Sequence, residues 1–206
     1  MRINIFLLCV VLAFLFEACA TTPYDSSQDQ TQEIIETVAT PVPVLSYNCG
    51  GNLGDEACDF EFLDQHKNSW RLSDHHGSII ILDFSTMWCS ICMHAATYVQ
   101  EFQDEYNPQN VIWVTILLQD AYGQLPTIYH TEEWATAFNI KTSPVLAADE
   151  NVFDIVSDEG YGISVLPTVV IIDRNMINAH IIEGWNKALL LDHLDRMLGK
   201  SKAIEF

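Results

Sequence analysis

The feature that most constrains this chain is an apolar run of strand length that leads directly into a pair of cysteines. Residues 79–84 read IIILDF, and residues 84–96 continue as FSTMWCSICMHAA. A continuous apolar run with one acid in it is the pattern of a strand buried on both faces of its sheet. The chain then places Trp88 before Cys89 and sets Cys92 three positions further on. Beyond Trp88 the pattern is helical over residues 90–106 and is broken by Asn107-Pro108. Cys89 therefore stands at a helix N-terminus, where the first amides lack partners and the macrodipole favours negative charge. A thiolate is stabilised there, and the thiolate is the nucleophile of disulfide exchange. Cys92, one turn along, is expected to be more buried and to attack a mixed disulfide formed at Cys89.

The rest of the chain supplies a sheet for that strand. Residues 60–78, FEFLDQHKNSWRLSDHHGS, read as two short strands joined by a turn at 64–68, with a second turn at 74–77. Residues 111–118, VIWVTILL, form a second buried strand. A helix is expected over 131–138, opened by TEEW with Thr131 as its cap. Residues 143–156 hold a short strand and a short helix. Residues 166–173, LPTVVIID, form a third strand, and residues 177–185, INAHIIEGW, its hairpin partner after a turn at 173–175. Asn186 then caps a final helix to about residue 198, with Leu189, Leu190, Leu194, Met197 and Leu198 on one face. Strand–helix alternation followed by a hairpin and a helix implies an α/β fold, a mixed central sheet with helices on both faces.

Composition narrows the function. The formal charge is −19, from 9 Lys+Arg against 28 Asp+Glu, which argues against a nucleic-acid surface because such surfaces concentrate cations. The first residues, MRINIFLLCVVLAFLFEACA, carry one Arg and an apolar run over 3–16 that is too short to span a bilayer comfortably. This is the layout of a secretory signal. Ala18-Cys19-Ala20 fits ordinary cleavage. Cleavage before Cys19, with lipid on its thiol, fits a lipoprotein, although Leu15, Phe16 and Glu17 make an imperfect lipobox. Residues 20–45 are polar, without glycine and punctuated by proline, as a disordered tether is, and a tether favours the anchored reading. The expected organisation is signal 1–19, tether 20–45 and one folded domain 46–206. Export lets disulfides persist. Of the six cysteines, Cys9 lies in the signal and Cys19 is the lipid site or is lost with it, which leaves Cys49, Cys58, Cys89 and Cys92 as two neighbouring pairs. A Cys49–Cys58 bridge would be a structural staple, stabilising by roughly 2–3 kcal/mol. A four-cysteine zinc site is the weaker alternative, because one pair alone has the tight ligand spacing.

Taken in order, these segments resemble the thioredoxin superfamily and, within it, the exported TlpA/ResA-like thiol–disulfide oxidoreductases. Residues 59–92 resemble the opening hairpin, first central strand and active site. WATAFNI with SPVLAADE is similar to an inserted strand and helix, YGISVLPTVVIID to the segment bearing a cis-proline, and IIEGW to the last strand with Gly184. The resemblance implies that Cys89 attacks, Cys92 resolves and the two form a redox-active disulfide. It implies that Trp88 shields the rim and that Pro167 is cis, presenting Leu166 and the neighbouring Thr168 to an extended substrate. Asp83, six positions before Cys89, matches the buried acid that takes the proton of the resolving thiol. No cofactor is implied. The implied partners are exported proteins with cysteines or disulfides, apocytochrome c among them, an electron donor, and a membrane reached through the lipid anchor. The expected place is the bacterial cell envelope, and the expected duty reduction. The intervening dipeptide is Ser90-Ile91, without the proline common in the family, and Met87 and Ser85 also depart from its usual residues.

Three other readings stay open on the sequence. A peroxidase would use Thr86, three before Cys89, but has Leu82 where a proline is expected and only Arg174, in a turn, as a nearby arginine. A copper chaperone needs three residues between its cysteines, and this chain has two. A binding module would keep Cys89–Cys92 as a permanent bond. His94 reads as surface and His75-His76 as a turn, while Trp113, Trp134 and Trp185 read as core or rim.

Overall fold

Strand β3 (Ile79–Thr86) is buried at every position because it has a strand on each side and side chains over both faces. It pairs in parallel with β4 (Val111–Gln119) and antiparallel with β6 (Thr168–Ile172). On one side β4 pairs in parallel with β5 (Val145–Ala147), which meets the hairpin of β1 (Glu61–Asp64) and β2 (Ser69–Arg71). On the other side β6 pairs antiparallel with β7 (Asn178–Glu183). The result is one mixed sheet of seven strands in the order β2-β1-β5-β4-β3-β6-β7. This is a computed structural model, and it describes residues 49–148 and 160–200. The signal, Cys19 and the tether therefore lie outside the described residues, as does the helix expected in the second half of 143–156.

Alternation along the central strands sorts the core into two layers. Ile79 and Ile81 of β3, Trp113 and Leu117 of β4, and Val169 and Ile171 of β6 share one cluster. Ile80, Leu82 and Phe84, Val114 and Ile116, and Val170 and Ile172 share the other. Helices α1 (Ser90–Ala96), α2 (Val99–Tyr106), α3 (Ile128–Ala137) and α4 (Lys187–Met197) all bury residues in the first cluster, among them Cys92, Phe102, Trp134 and Leu194. The second face is covered, among the described residues, by Ala57, Cys58, Phe60, Leu72 and Tyr161.

The sequence-based boundaries shift in three places. The helix read over 90–106 is two helices, because Thr97 ends the first by donating its hydroxyl to the His94 carbonyl (2.7 Å). Helix α3 starts a turn earlier than Thr131: Thr127 caps it and His130 closes the cap, its ring Nδ1 accepting the Thr127 N–H (3.0 Å). Thr131 is instead buried within α3 and donates to the Ile128 carbonyl (2.8 Å). Strand β6 begins at Thr168 rather than Leu166, since residues up to Pro167 form the loop beside the cysteines.

Candidate active site

Cys89 is the N-cap of α1, with extended backbone (φ −85°, ψ 110°), and its sulfur accepts the Cys92 N–H at 3.2 Å. One of the unpaired amides of the first helical turn is thus aimed at the sulfur, and such an interaction favours the thiolate over the thiol. Cys89 and Cys92 are joined as a disulfide with their Cα atoms 5.2 Å apart. Cys92 has no exposed surface, while Cys89 retains 9%. An incoming thiol or disulfide can therefore reach only the Cys89 sulfur. Cys49 and Cys58 form the second disulfide, so all four cysteines of the described domain are paired.

Asp83 is on the face of the sheet that the helices cover, and strand parity is the reason. It stands two positions after Ile81 and so faces the same layer, which holds Cys92 and Ala96. Its register partners are Thr115 of β4 and Val169 of β6. The side chain has no exposed surface. Burial raises its pKa from 3.8 to about 6, against the downward pull of hydrogen bonds from Ser85 (2.7 Å) and Thr115 (3.4 Å). The indole of Trp113 also pulls it down, though its N–H makes no hydrogen bond of ordinary geometry. No cation is among these partners.

The rim around Cys89 is apolar. Trp88 is 51% exposed and Ile91 52% exposed. Met87 and Leu166 pack, half-buried, on the cluster that holds both cysteines. The Leu166–Pro167 peptide is cis. Thr168 is buried and donates its hydroxyl to the Val165 carbonyl (2.8 Å), which ties the loop before β6 to the strand. Sequence reasoning missed Gln119, which accepts the Trp88 indole N–H (2.9 Å) and whose carbonyl accepts the Met87 N–H (3.0 Å). A register shift between Ser85 and Thr86 brings Gln119 opposite Thr86, and no sequence pattern announces that shift. His94 is exposed and meets Tyr98 edge-on.

A model of the AhpC/TSA family matches residues 53–181, more than half of the chain and the whole of the cysteine site. The chain belongs to the AhpC/TSA family. Within this redoxin family the chain is 27% identical over 144 residues to a thiol–disulfide oxidoreductase ResA of Geobacillus thermodenitrificans, covering 69% of this chain and 76% of that one. A Chlorobium tepidum structure assigned as a thiol:disulfide interchange protein DsbE superposes with a TM-score of 0.59 at 22% identity, covering 72% of this chain and 99% of that one. A thiol:disulfide interchange protein from a Bacteroides species superposes at 0.60 and 14% identity, over 75% and 93% of the two chains. The architecture is that of the thioredoxin fold, and the protein is an enzyme of the thiol–disulfide oxidoreductase type.

Proposed function

We propose that the protein reduces disulfides of exported proteins through Cys89 and Cys92, acting from the bacterial cell envelope. The observation that carries this reading is the arrangement of one reachable sulfur at a helix N-cap, one buried sulfur a turn away and a buried acid on the same sheet face. In the reduced enzyme the Cys89 thiolate attacks a substrate disulfide, forming a mixed disulfide and expelling one substrate thiolate. Cys92 then attacks the Cys89 sulfur, and the second substrate thiolate leaves. The enzyme pair is oxidised by two electrons and the substrate is reduced by two. Cys92 must lose its proton at a position with no exposed surface. Asp83, with a pKa of about 6, is ionised near neutrality yet basic enough to accept it. Trp88 and Leu166 form the surface against which the substrate chain lies, whereas Pro167 and Thr168, expected at that rim, are buried and serve by fixing the loop that carries Leu166. The donor that restores the pair is a second exported dithiol protein. The apolar leader supports export, and Cys19 with the polar tether supports a lipid anchor.

Alkylation of the reduced protein as a function of pH, with the modified cysteines located by mass spectrometry, tests this. The expected result is that Cys89 reacts first, with an apparent pKa well below the ~8.5 of a free thiol, while Cys92 stays protected. Equal reaction of both thiols at an ordinary pKa, or a pair that resists reduction, would sink the reading. Peroxide reduction at Cys89 has one observation in its favour, the buried and unpartnered hydroxyl of Thr86. Against it, Arg174 is bound to the Gly77 and Gln109 carbonyls beyond Ile172, which pairs with Ile80 at the end of β3 remote from Cys89.

A further inference from the structure

The loop that brings Leu166 and Pro167 to the cysteines is anchored by the second disulfide. Residues 162–167 belong to no helix or strand. Downstream they are tied by the Thr168 hydroxyl on the Val165 carbonyl (2.8 Å) and by the Gly184 N–H on the Pro167 carbonyl (2.8 Å). Upstream the tie is Tyr161, whose hydroxyl donates to the Cys58 carbonyl (3.2 Å). The Cys49–Cys58 loop closes over the same place. A Cβ on Gly51 would stand 2.5 Å from the Gly160 oxygen and 2.6 Å from the Tyr161 carbonyl carbon, so no larger residue fits there without a backbone shift. The loop is itself fixed to the sheet edge: Gly54 donates to the Asn178 carbonyl (2.9 Å), Asn178 to the Asp55 carbonyl (3.0 Å), and the Asn178 amide to the Gly50 carbonyl (2.6 Å). The buried ring of Tyr161 packs against Phe84, centroids 5.3 Å apart. Phe84 is the register partner of Thr168 and lies five residues before Cys89.

We propose that Tyr161 is a positioning residue: held by the disulfide-closed loop, it sets where residues 163–166 lie beside Cys89 and so how well the site holds a substrate polypeptide. This rests on the oxidoreductase reading of Cys89. It assigns the Cys49–Cys58 loop a role in substrate affinity and leaves the reactivity of the Cys89 sulfur to α1. A phenylalanine at 161 would fill the same space and keep the contact with Phe84, losing only the bond to Cys58.

The test is single turnover of the oxidised full chain by two dithiols, a short peptide carrying two cysteines and dithiothreitol. In each case the dithiol is oxidised to its disulfide and Cys89–Cys92 is reduced, with both sites followed by alkylation and mass. Tyr161→Phe is expected to raise the half-saturating peptide concentration about fivefold, the worth of one hydrogen bond. Its limiting rate stays within about twofold and its rate with dithiothreitol is unchanged, since the sulfur itself is untouched. Cys49→Ser with Cys58→Ser, which opens the loop, shifts the peptide concentration the same way. Adding Tyr161→Phe to it gives no further shift, because both cut one brace. An unchanged half-saturating concentration, a proportional slowing with both dithiols, or additive effects of the two changes overturns the proposal. If the loop-opened protein does not fold, Tyr161→Phe alone decides. A wild-type chain inert to both dithiols overturns the oxidoreductase reading itself.

Discussion

Replacing Asp83 by Asn tests the buried acid without altering its shape. In the folded, oxidised protein its pKa stands at about 6 against an ordinary 3.8, with burial as the main cause. Between those values the folded chain binds more protons at this site than the unfolded chain. Stability is therefore fullest below pH 3.8, falls as pH rises through the window to about 6, and stays lower above it. A difference of about two units at ~1.4 kcal/mol each makes the ionised carboxylate cost about 3 kcal/mol near neutrality. Asparagine carries no charge to desolvate. Its side-chain oxygen can accept from the Ser85 hydroxyl as one Asp83 oxygen does, while its amide nitrogen takes the place of the oxygen that accepts from Thr115 and can donate to that hydroxyl instead. Asp83→Asn is thus expected to stabilise the oxidised protein by about 3 kcal/mol at about pH 7.5, with the gain shrinking to nothing near pH 4. Urea unfolding of both proteins at several pH values measures it, provided the m-values agree. A gain that does not vary with pH, or a loss near neutrality, would refute the burial argument.

The same substitution removes the proposed proton acceptor, so the second step of exchange slows by on the order of 10²-fold, while Cys89 alkylation is unchanged; rapid quenching separates the two steps. Cys92→Ser leaves no resolving thiol, and a covalent enzyme–substrate disulfide at Cys89 should accumulate and be visible by intact mass. Gln119→Ala frees the Trp88 indole, with a stability loss of about 1 kcal/mol or less and easier quenching of Trp88 emission by acrylamide. His180 of β7 and His193 of α4 stack with centroids 3.7 Å apart, and burial lowers the pKa of both, with Arg196 opposing and Asp192 favouring the charged forms. Their contribution to stability is present above pH 6.5 and is lost as pH falls, so His193→Gln should flatten the loss of stability on acidification, read by thermal unfolding.

The central fold was legible because its signal is redundant. The unbroken burial of β3, the buried run of β4 and the turn at Asp173 each point to one sheet, and the cysteine spacing adds the helix. Helix starts were less legible, because cap strength depends on partners that propensity does not reveal. TEEW looks like a capping box at Thr131, yet His130 completes the cap at Thr127 with a ring nitrogen, a role that sequence patterns reserve for Glu or Gln. The single helix over 90–106 failed similarly, since Thr97 turns its hydroxyl on the backbone and Tyr98 follows outside helical pairing. Within the site, Cys89 and Cys92 were readable from local spacing, and Asp83 from the resemblance that sets an acid six positions before Cys89. Gln119 and Tyr161 were not, because each acts across a long separation: Gln119 reaches Trp88 through a register shift, and Tyr161 reaches Cys58 across 103 residues.

One strand explains why both kinds of residue converge on Cys89. Along β3, Asp83 and Ser85 face the helical layer, where a buried acid can serve the resolving thiol. Phe84, between them, faces the opposite layer and meets Tyr161. The proposed proton chemistry and the proposed loop placement thus fall on opposite faces of the same three residues, and the chain leaves the sheet at Thr86 three residues before Cys89, the N-cap of α1. A slip of one residue in the pairing of β3 would exchange the faces, putting the carboxylate against Tyr161 and the phenyl ring under α1. The apolar residues on either side of Asp83 would then also change layers, so packing of the whole core fixes the register that the chemistry needs.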